Sequence, residues 1–300
     1  MVLRTATADV NGDGVPDLVI VTGPGTPIRV TVLDGRDNAT PLVAPFDPFT
    51  GDFTGGGYVA AADLDGDGRA EFVVTPDLGG GPRASVFGLT TNGARTTRAD
   101  FFGIDDVSFR GGARVALGDV NGDGILDVVV AAGFGGGPRT AIFRGQSVLA
   151  GQPVRLVPDF FAFPGSDAAN LRNGSFVAVG DITGDGFADL IFGGGPGGAP
   201  RVFILSGAMV SQGNVEGAQA AAVANFFVAG DTADRGGTRV ATTDSDGDGR
   251  ADLILGSGAN RPARVRVNAG SGFSGGVFNG SEQLLEVFGG ATLTDGVYVG

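Results

Sequence analysis

The sequence contains no cysteine, histidine, lysine or tryptophan. The lack of histidine and cysteine excludes a histidine-based catalytic triad, a thiolate nucleophile and an ordinary zinc or haem site. The lack of lysine excludes a Schiff base and the lysine of a phosphate-binding P-loop. All 20 basic residues are therefore arginine, and the net charge of −13 argues against a general nucleic-acid surface. We expect no nucleic-acid partner and no chemistry that depends on these four residue types.

Long hydrophobic segments are also missing. No apolar run approaches the roughly 18 residues of a membrane span, so no membrane insertion is expected. The first ten residues, MVLRTATADV, lack the pattern of a signal peptide, so an exported protein would have its signal trimmed from this sequence. The apolar fraction of 42% is ample for a packed core, and the 57 glycines follow no Gly-X-Y period. Glycine is therefore expected in turns between many short strands.

One nine-residue pattern occurs five times along the chain. We call the copies loops 1 to 5; they read DVNGDGVPD at 9–17, DLDGDGRAE at 63–71, DVNGDGILD at 119–127, DITGDGFAD at 181–189 and DSDGDGRAD at 244–252. Their first residues are separated by 54, 56, 62 and 63 positions. A repeat of this length is typical of a propeller or a solenoid.

Short apolar segments bounded by turn residues lie between the loops. Examples are ARVALG at 113–118, VVVAAG at 128–133, TAIFRG at 140–145 and DFFAF at 159–163. Four such strands per repeat predict an all-β fold, a β-propeller of four-stranded blades with five repeat units, and a single domain over 1–300. One segment, 208–227, suggests a helix, but Gly213 and Gly217 weaken that interpretation.

The two ends of the chain resemble one another. DGVYVG at 295–300 is similar to GGYVAA at 56–61, which precedes loop 2, and it predicts the start of a further strand. Residues 1–8 occupy the corresponding place ahead of loop 1. Either five blades close on themselves and one copy of the strand is displaced, or the chain is a slice of a longer propeller. We favour five blades in this chain.

The loops have the oxygen atoms and the spacing of a calcium site. Calcium takes side-chain oxygens from positions 1, 3 and 5 and a backbone carbonyl from position 7, in a chain that coils tightly at a glycine in position 6. Position 9 supplies a further carboxylate. The predicted ligands of up to five Ca²⁺ ions are Asp9, Asn11, Asp13, Val15 and Asp17 in loop 1; Asp63, Asp65, Asp67, Arg69 and Glu71 in loop 2; Asp119, Asn121, Asp123, Ile125 and Asp127 in loop 3; Asp181, Thr183, Asp185, Phe187 and Asp189 in loop 4; and Asp244, Asp246, Asp248, Arg250 and Asp252 in loop 5.

A plain turn, an EF-hand and a magnesium site fit the loops less well. Three or four carboxylates within nine residues repel one another, and a plain turn could use Asn-Gly at a smaller electrostatic cost. An EF-hand needs a glutamate at position 12, where these loops have an apolar residue in a strand-like segment. Magnesium prefers to keep several waters and rarely uses an all-protein cage. The weakest predicted site is loop 4, because Thr183 offers only a neutral oxygen at position 3.

With these loops, the chain resembles the FG-GAP or VCBS repeat family, whose units form the β-propeller of integrin α subunits and of many bacterial surface proteins. The loops match the family's D-x-[DN]-x-D-G-x-x-D pattern, and LVIVTGPG at 18–25 and IFGGGPG at 191–197 are similar to its strand followed by a Gly-Pro segment. The resemblance implies Ca²⁺ in the hairpin that joins the first two strands of each blade. Thr183 departs from the pattern.

Three further motifs admit two interpretations each. An arginine stands twelve residues after every loop, at Arg29, Arg83, Arg139, Arg201 and Arg264; we favour ion pairs or caps of backbone carbonyls in each blade over a surface for anionic ligands or sugars. In the Phe pairs at 101–102, 160–161 and 226–227, we expect one ring to pack between blades, although exposed adhesive rings are the alternative. GGGPGG at 193–198 fits a turn better than a dinucleotide site, because it contains a proline and leads into a strand.

The sequence favours a calcium-binding, non-enzymatic module for interaction, adhesion or structure. We expect it in an exported bacterial protein, extracellular or at the cell surface, as a monomeric domain of a larger protein whose protein or glycan partner the sequence does not identify. A carbohydrate-binding propeller is the alternative, although the missing tryptophan counts against it. A propeller enzyme such as a polysaccharide lyase fits less well, because it would need arginine together with Tyr58 or Tyr298 as the acid or base.

Overall fold

The computed structural model describes residues 2–285, 287–288, 293–294 and 296–299. Within them the chain forms five four-stranded antiparallel sheets, here called blades, in which the strands follow one another in chain order. The predicted fold class, an all-β β-propeller of four-stranded blades, is confirmed. The chain divides into two compact units: unit 1 contains 1–117, 125–132 and 141–156, and unit 2 contains 118–124, 133–140 and 157–300.

The blades have the following strands. Blade 1 has β1 (Leu3–Ala8), β2 (Asp17–Thr22), β3 (Val30–Leu33) and β4 (Pro41–Phe46). Blade 2 has β5 (Gly57–Ala62), β6 (Glu71–Pro76), β7 (Arg83–Leu89) and β8 (Arg95–Phe102). Blade 3 has β9 (Ala113–Gly118), β10 (Asp127–Ala132), β11 (Arg139–Phe143) and β12 (Phe160–Phe161), and blade 4 has β13 (Ser175–Gly180), β14 (Asp189–Gly194), β15 (Arg201–Leu205) and β16 (Ala224–Phe227). Blade 5 has β17 (Thr238–Thr243), β18 (Asp252–Ser257), β19 (Val265–Asn268) and β22 (Glu282–Leu285), with the small hairpin β20 (Phe273–Ser274) and β21 (Val277–Phe278) before its last strand.

The α-helices are few and short. They are α1 (Gly145–Leu149), α2 (Ser166–Asn170), α3 (Gly207–Ser211) and α4 (Val215–Ala220), and among the described residues none is long and apolar enough to cross a membrane. The segment 208–227, for which the sequence weakly suggested one helix, contains most of α3, all of α4 and β16. Gly213 lies between the two helices at a φ of 80°, where the chain turns. The glycine thus divides the predicted helix instead of abolishing it.

In blades 2 to 5 the second strand is the most deeply buried. In β6, β10 and β14 every residue is buried, whereas the outer strand β8 alternates between exposed and partly covered positions. Adjacent residues of a strand point to opposite faces, so a strand covered on both sides has a continuous apolar sequence. In unit 1, Phe72 belongs to the same core cluster as Val19 and Val21 of blade 1, and the next residue, Val73, belongs to a second cluster with Val130 of blade 3. Each such side chain contributes roughly 1.5–3 kcal/mol when fully buried.

The second residue of each first strand alternates between an arginine and an aromatic ring. In unit 1, the guanidinium carbon of Arg4 lies 3.7 Å from the ring centre of Tyr58, and that of Arg114 lies 5.6 Å from the same ring. In unit 2, Arg239 lies 5.9 Å from Phe176 and 3.9 Å from Tyr298. Cation–π contacts therefore connect the first strands within each unit.

The predicted further strand at 295–300 falls partly outside the described residues, at 295 and 300. Within 296–299 no strand is formed. The Val297 N–H donates to the carbonyl of Ser257 at 3.1 Å, and the Val297 carbonyl accepts from Arg239 at 3.2 Å. These bonds attach the described part of the segment to blade 5.

Candidate metal centre

The five loops lie where the first strand of each blade turns into the second. The residue before position 1 pairs with the acidic residue at position 9 in four blades: Ala8 with Asp17, Ala62 with Glu71, Gly180 with Asp189, and Thr243 with Asp252. Loop 3 joins β9 to β10 and is divided by the boundary between the two units, with residues 119–124 in unit 2 and 125–127 in unit 1.

Two glycines with positive φ coil each loop. The predicted glycine at position 6 has a φ of 84–87° in all five loops, and the glycine at position 4 has a φ of 72–78°. Side chains with a Cβ rarely adopt such angles. The calcium-loop pattern predicted this role for position 6 alone, although the glycine at position 4 is equally invariant among the loops.

The carboxylate at position 1 holds the coil together. In loop 1, Asp9 accepts hydrogen bonds from the backbone N–H groups of Gly12 at 2.7 Å and Gly14 at 2.6 Å. The equivalent bonds of the other four loops measure 2.6–3.1 Å. An ionised carboxylate has about four acceptor positions, so these bonds still leave capacity for a cation.

The acidic residue at position 9 is buried at the base of each loop. The exposed fraction is at most 1% for Asp17, Glu71, Asp127, Asp189 and Asp252. Asp17 accepts from the N–H groups of Val10 at 2.9 Å, Asn11 at 3.1 Å and Gly35 at 2.9 Å. These bonds connect the start of the loop, its end and the turn that follows the third strand.

Burial changes the acidity of these carboxyl groups. It raises the pKa of Glu71 to about 7 and that of Asp189 to about 7, and it raises the pKa of Asp17 against the opposing hydrogen bonds from Gly35, Asn11 and Val10. Burial works in the same direction at Asp252, but hydrogen bonds from Ser245 and Gly270 together lower the pKa of that group. Glu71 and Asp189 thus bind protons near neutral pH unless a cation takes the place of the proton.

The carboxylates of positions 1, 3 and 9 come together in loops 2 and 5. Asp63, Asp65 and Glu71 offer oxygen atoms that all lie within 4.8 Å of one another, and so do the corresponding residues of loop 5, Asp244, Asp246 and Asp252. Three carboxylates at this spacing repel one another unless a cation or protons lie between them.

Loop 1 has an independent feature that favours a cation. The side-chain oxygen Oδ1 of Asn11, at position 3, is buried and has no hydrogen-bond partner among the described residues. The amide nitrogen of the same side chain faces Asp17 at 3.4 Å. A buried polar atom without a partner costs about 1–3 kcal/mol, and a cation ligated by Oδ1 would remove that cost.

Positions 5 and 7 are arranged differently. Asp67 and Asp248 lie outside the two carboxylate groups, and each accepts from the position-7 N–H of its own loop at 2.8 Å. Asp13 of loop 1 does the same at 2.9 Å and also pairs with Arg36 at 3.0 Å. In loop 4, the N–H of Thr183 donates to Asp189 at 3.0 Å. The ligand roles predicted for positions 5 and 7, like those predicted for positions 1, 3 and 9, stay predictions.

A glycine eighteen residues after position 9 is part of the site, although the loop pattern did not predict it. Gly35, Gly145, Gly207 and Gly270 each donate their N–H to the position-9 aspartate of their blade at 2.8–3.1 Å. A Cβ on Gly207 would lie 2.0 Å from the carbonyl oxygen of Ala188, so no larger residue fits. Blade 2 has Leu89 at this place and the longer Glu71 at position 9. The constant spacing of eighteen residues could have revealed the contact.

The repeated arginines of blades 1 to 4 form ion pairs, as favoured from the sequence. Arg83 pairs with Asp100, Arg139 lies 3.0 Å from Asp159, and Arg29 lies 3.6 Å from Asp47. In blade 4, Arg201 contacts both Asp167 at 2.6 Å and Asn225 at 2.9 Å. For Arg264 of blade 5, the backbone N–H and carbonyl both bond Ser257 at 3.0 Å.

In each Phe pair one half-buried ring packs against another ring, and in two pairs the second ring is exposed. The packed rings form three contacts: Phe101 with Phe143 at 4.6 Å, Phe160 with Phe192 at 6.4 Å and Phe226 with Phe273 at 6.3 Å. The second rings, Phe102 and Phe161, are 47% and 43% exposed. The predicted packing of one ring per pair is confirmed, and two rings remain open to solvent.

A cleft of about 470 Å³ lies beside the exposed ring of Phe161 in unit 2. Its walls combine apolar residues such as Pro158 with the polar side chains of Asn214, Glu216 and Gln219 from the region of α4. Gln219 donates from its amide to the carbonyl of Phe161 at 2.7 Å. No sequence motif indicates this cleft, because it depends on how α4 packs against β12.

Structures of three rhamnogalacturonan lyases are similar to the chain. Rhamnogalacturonan lyase YesW has a TM-score of 0.38 and 13% identity, with 93% of this chain and 59% of that chain covered. The exotype rhamnogalacturonan lyase YesX has a TM-score of 0.41 and 12% identity, with 91% and 57% covered. The rhamnogalacturonan lyase PL11 of Bacillus licheniformis has a TM-score of 0.39 and 13% identity, with 87% and 58% covered. The chain thus spans less than two thirds of the length of these proteins.

Two segments match models of a repeat family. Residues 9–74 match the FG-GAP-like repeat, and residues 111–146 match the FG-GAP repeat. The matched segments contain loops 1, 2 and 3 in full. Together with the five four-stranded sheets, these matches identify the chain as a member of the FG-GAP repeat β-propeller family.

Proposed function

We propose that the chain binds Ca²⁺ in its five loops and that the ions hold the hairpins of the blades in shape. The observation that carries the proposal is the convergence of three carboxylates in loop 2 and in loop 5, together with the unpartnered Oδ1 of Asn11 in loop 1. Both features are unfavourable without a cation, and a hard cation with several oxygen ligands removes both costs.

The donor atoms favour calcium over other metals. Every predicted ligand is a carboxylate, amide, hydroxyl or backbone oxygen, and the sequence offers no histidine or cysteine. Oxygen ligands select calcium, magnesium or manganese. Calcium tolerates six to eight ligands in flexible geometry, whereas magnesium demands near-ideal octahedral geometry and gives up its waters reluctantly. A nine-residue loop with five ligands suits the larger ion.

The proposed role is structural and non-enzymatic, in a domain that presents an interaction surface of an exported bacterial protein. The carboxylates of the loops serve as ion ligands in this proposal and are not available for acid–base work. Tyr58 and Tyr298, the two candidate acids or bases, each have a ring face against a buried guanidinium, which is a packing arrangement. For a Kd of about 10⁻⁴ to 10⁻³ M, the range of extracellular calcium modules, ~1 mM Ca²⁺ would fill about half to nine-tenths of such sites.

Thermal unfolding tests this proposal. For sites with a Kd of about 10⁻⁴ to 10⁻³ M, each ion at ~1 mM adds roughly 0.4–1.4 kcal/mol, or about 2–7 kcal/mol for five independent sites. This amount is comparable with a total stability of ~5–15 kcal/mol. We expect a chelator to lower the Tm by many degrees and Ca²⁺, but not equimolar Mg²⁺, to restore it. A Tm that is indifferent to the chelator contradicts the proposal.

Carbohydrate recognition is a second candidate, and the cleft beside Phe161 favours it. An exposed aromatic ring flanked by Asn214, Glu216 and Gln219 offers one stacking surface and several hydrogen-bonding groups, which is the usual composition of a small-molecule site. We expect a glycan that binds this cleft to lose about tenfold in affinity in Phe161→Ala and to keep its affinity in Phe102→Ala, which removes the other exposed ring. A glycan array without any hit removes this candidate.

A further inference from the structure

Neighbouring loops are joined by a hydrogen bond at the same place in three of the four consecutive pairs. The position-8 N–H donates to the position-1 carbonyl of the preceding loop, from Ala70 to Asp9 at 2.7 Å, from Ala188 to Asp119 at 2.8 Å and from Ala251 to Asp181 at 2.8 Å. We call this bond the inter-loop link. It attaches the residue whose carboxylate is the first predicted ligand of one loop to the end of the next loop.

The donor of the link belongs to a peptide group that also has a predicted ligand. The carbonyl of position 7 and the N–H of position 8 are the two ends of one planar amide, for example residues 250 and 251 in loop 5. A cation at the carbonyl withdraws electrons from the amide and makes its N–H a stronger donor. The link would then be shorter and stronger when the loop that donates it holds an ion.

Loop 1 shows that the position-8 N–H is not needed by its own loop. Position 8 of loop 1 is Pro16, which has no N–H. Loop 1 nevertheless keeps the two coil bonds from Gly12 and Gly14 to Asp9 at 2.7 and 2.6 Å. In the later loops this N–H therefore serves the neighbouring loop.

A second contact accompanies the link. The side chain at position 7 lies on the position-4 glycine of the preceding loop, so that a Cβ on that glycine would lie 2.9 Å from Arg69 at Gly12, 2.9 Å from Phe187 at Gly122 and 3.1 Å from Arg250 at Gly184. Loops 2 and 3 are the exception. Their bond runs from Leu126 to the carbonyl of Leu64, at position 2, over 3.2 Å, and no described atom lies within 4 Å of a Cβ on Gly66.

We propose that ion binding in one loop strengthens ion binding in the preceding loop through the inter-loop link, in the pairs 1–2, 3–4 and 4–5 and much less in the pair 2–3. The inference rests on the proposed function, since it concerns the same calcium sites. Its consequence is positive cooperativity: in each linked pair, an ion in one loop should raise the Ca²⁺ affinity of the other about fivefold. This factor is at the low end of ordinary coupling between sites. Repulsion between the ions acts in the opposite direction, so the test must separate the link from charge.

A charge-matched variant makes this separation. In Asp244→Asn/Asp248→Asn, the net charge of loop 5 becomes more positive by two, as it would on binding Ca²⁺. The altered loop, however, is expected to hold no ion at its position-7 carbonyl. Site-resolved titration uses the amide of the position-6 glycine, which donates to the position-1 carboxylate of its own loop at 2.8 Å in loop 4. The Gly186 amide resonance in a nitrogen-15 spectrum thus reports Ca²⁺ in loop 4, and Gly68 reports loop 2.

We expect the Ca²⁺ affinity of loop 4 to fall about fivefold in the loop 5 variant. The matched control is Asp119→Asn/Asp123→Asn in loop 3, which should change the affinity of loop 2 by less than about twofold. If the Ca²⁺ affinity of loop 4 is unchanged or higher in this variant, the proposed coupling is overturned. A wild-type chain whose glycine amides do not respond to Ca²⁺ refutes the proposed function instead, so the two failures are distinguishable.

The reverse experiment covers the case in which the loop 5 variant does not fold. Thermodynamic linkage is reciprocal, so Asp181→Asn/Asp185→Asn in loop 4 must lower the affinity of loop 5, read at Gly249, by the same factor. A loop 5 affinity that does not respond to the loss of loop 4 overturns the proposal independently.

Discussion

Loops 2 and 5 differ from loops 1 and 4 in the charges that surround them. Loops 2 and 5 combine an aspartate at position 3 with an arginine at position 7, whereas loops 1 and 4 have a neutral residue at position 3 and an apolar one at position 7. In loops 2 and 5 the negative charge of the additional carboxylate and the positive charge of the guanidinium cancel. Loops 1, 2, 4 and 5 therefore have the same formal charge. The arginine side chains, however, lie on the preceding loops, Arg69 at Gly12 and Arg250 at Gly184.

The charge at a site is therefore set by its neighbour as well as by its own residues. Loops 2 and 5 each bring three carboxylates together, and their arginine side chains, Arg69 and Arg250, lie against loops 1 and 4. Loop 1 receives a second guanidinium from Arg36, which lies 3.0 Å from Asp13. We therefore expect intrinsically tighter ion binding in loops 2 and 5 than in loops 1 and 4.

The greatest loss of stability is expected at a position behind the loops, where blade 2 has Leu89 and blade 4 has Gly207. Gly207→Ala should lower the free energy of unfolding by about 3 kcal/mol, because the new Cβ would meet the carbonyl oxygen of Ala188 at 2.0 Å. Urea unfolding measures this change. The matched control is Gly81→Ala, whose Cβ would find its nearest neighbour, the Phe102 ring, at 3.4 Å. A Gly207→Ala variant as stable as the control contradicts the close approach.

Exchanging the position-3 residues tests the difference between loops 5 and 4. We expect Asp246→Asn to lower the Ca²⁺ affinity of loop 5 by about tenfold and Thr183→Asp to raise that of loop 4 by a similar factor, since affinity follows the number of charged ligands. The amides of Gly249 and Gly186 report the two affinities. If loop 5 still binds Ca²⁺ more tightly than loop 4 after the two substitutions, position 3 does not ligate the ion.

Acidification should lower the Ca²⁺ affinity of loops 2 and 4 more than that of loop 5. The pKa values of Glu71 and Asp189 are raised to about 7 by burial, whereas hydrogen bonds from Ser245 and Gly270 lower the pKa of Asp252. Calcium requires the ionised form, so between about pH 8 and pH 6 the affinity of loops 2 and 4 should fall about tenfold while loop 5 changes little. Titration of the glycine amides at the two pH values measures these affinities, and an equal fall in all three loops would contradict the assignment.

The stability of the ion-free protein should change in the opposite direction. A carboxyl group whose pKa is raised by folding binds its proton more tightly in the folded state, so the contribution of Glu71 to stability is complete below a pH of about 4.5 and is lost as the pH rises through about 7. We expect the Tm in chelator to rise on acidification from about pH 8 to about pH 5.5. Glu71→Gln should reduce that rise, and a rise of unchanged size in this variant would assign it to other groups.

The weakest effect is expected from the arginine that lies on loop 4. Arg250→Val, which copies Val15 of loop 1, should raise the Ca²⁺ affinity of loop 4 by about threefold, because a nearby positive charge is removed. Phe187→Val is the control, since it removes a neutral ring from Gly122 of loop 3. Equal effects of the two variants would show that packing, and not charge, is responsible.

The sequence predicts the repeat architecture well because each blade carries its own signals. The acid at position 9 begins the second strand in every blade, and in blades 2 to 4 the residues that follow it in that strand, such as VVVAA in β10, are all buried. Helices α3 and α4 were harder to predict, because each has only five or six residues and they are separated at Gly213. Helices this short depend on tertiary packing more than on their own sequence.

The candidate site was predicted only in part, because the remaining contacts join residues that are distant in the sequence. The acids at positions 1, 3 and 9 could be assigned from the pattern inside nine residues. The bond from Gly207 to Asp189 spans eighteen residues, and the inter-loop link from Ala251 to Asp181 spans seventy. Both contacts use a backbone N–H, which every residue except proline has, so the residue type does not reveal them. The exception is Gly207, where the lack of a side chain lets two segments of the backbone approach.

Anomalous diffraction from crystals grown with Ca²⁺ would locate the proposed ions themselves. We expect a calcium peak inside each loop, bound by the side chains of positions 1, 3, 5 and 9 and by the carbonyl of position 7 at about 2.3–2.6 Å, the distance range of calcium–oxygen ligation. Loops 2 and 5 should fill at the lowest ion concentration. Loops that remain without a peak at millimolar Ca²⁺ while keeping the same coil would contradict calcium binding.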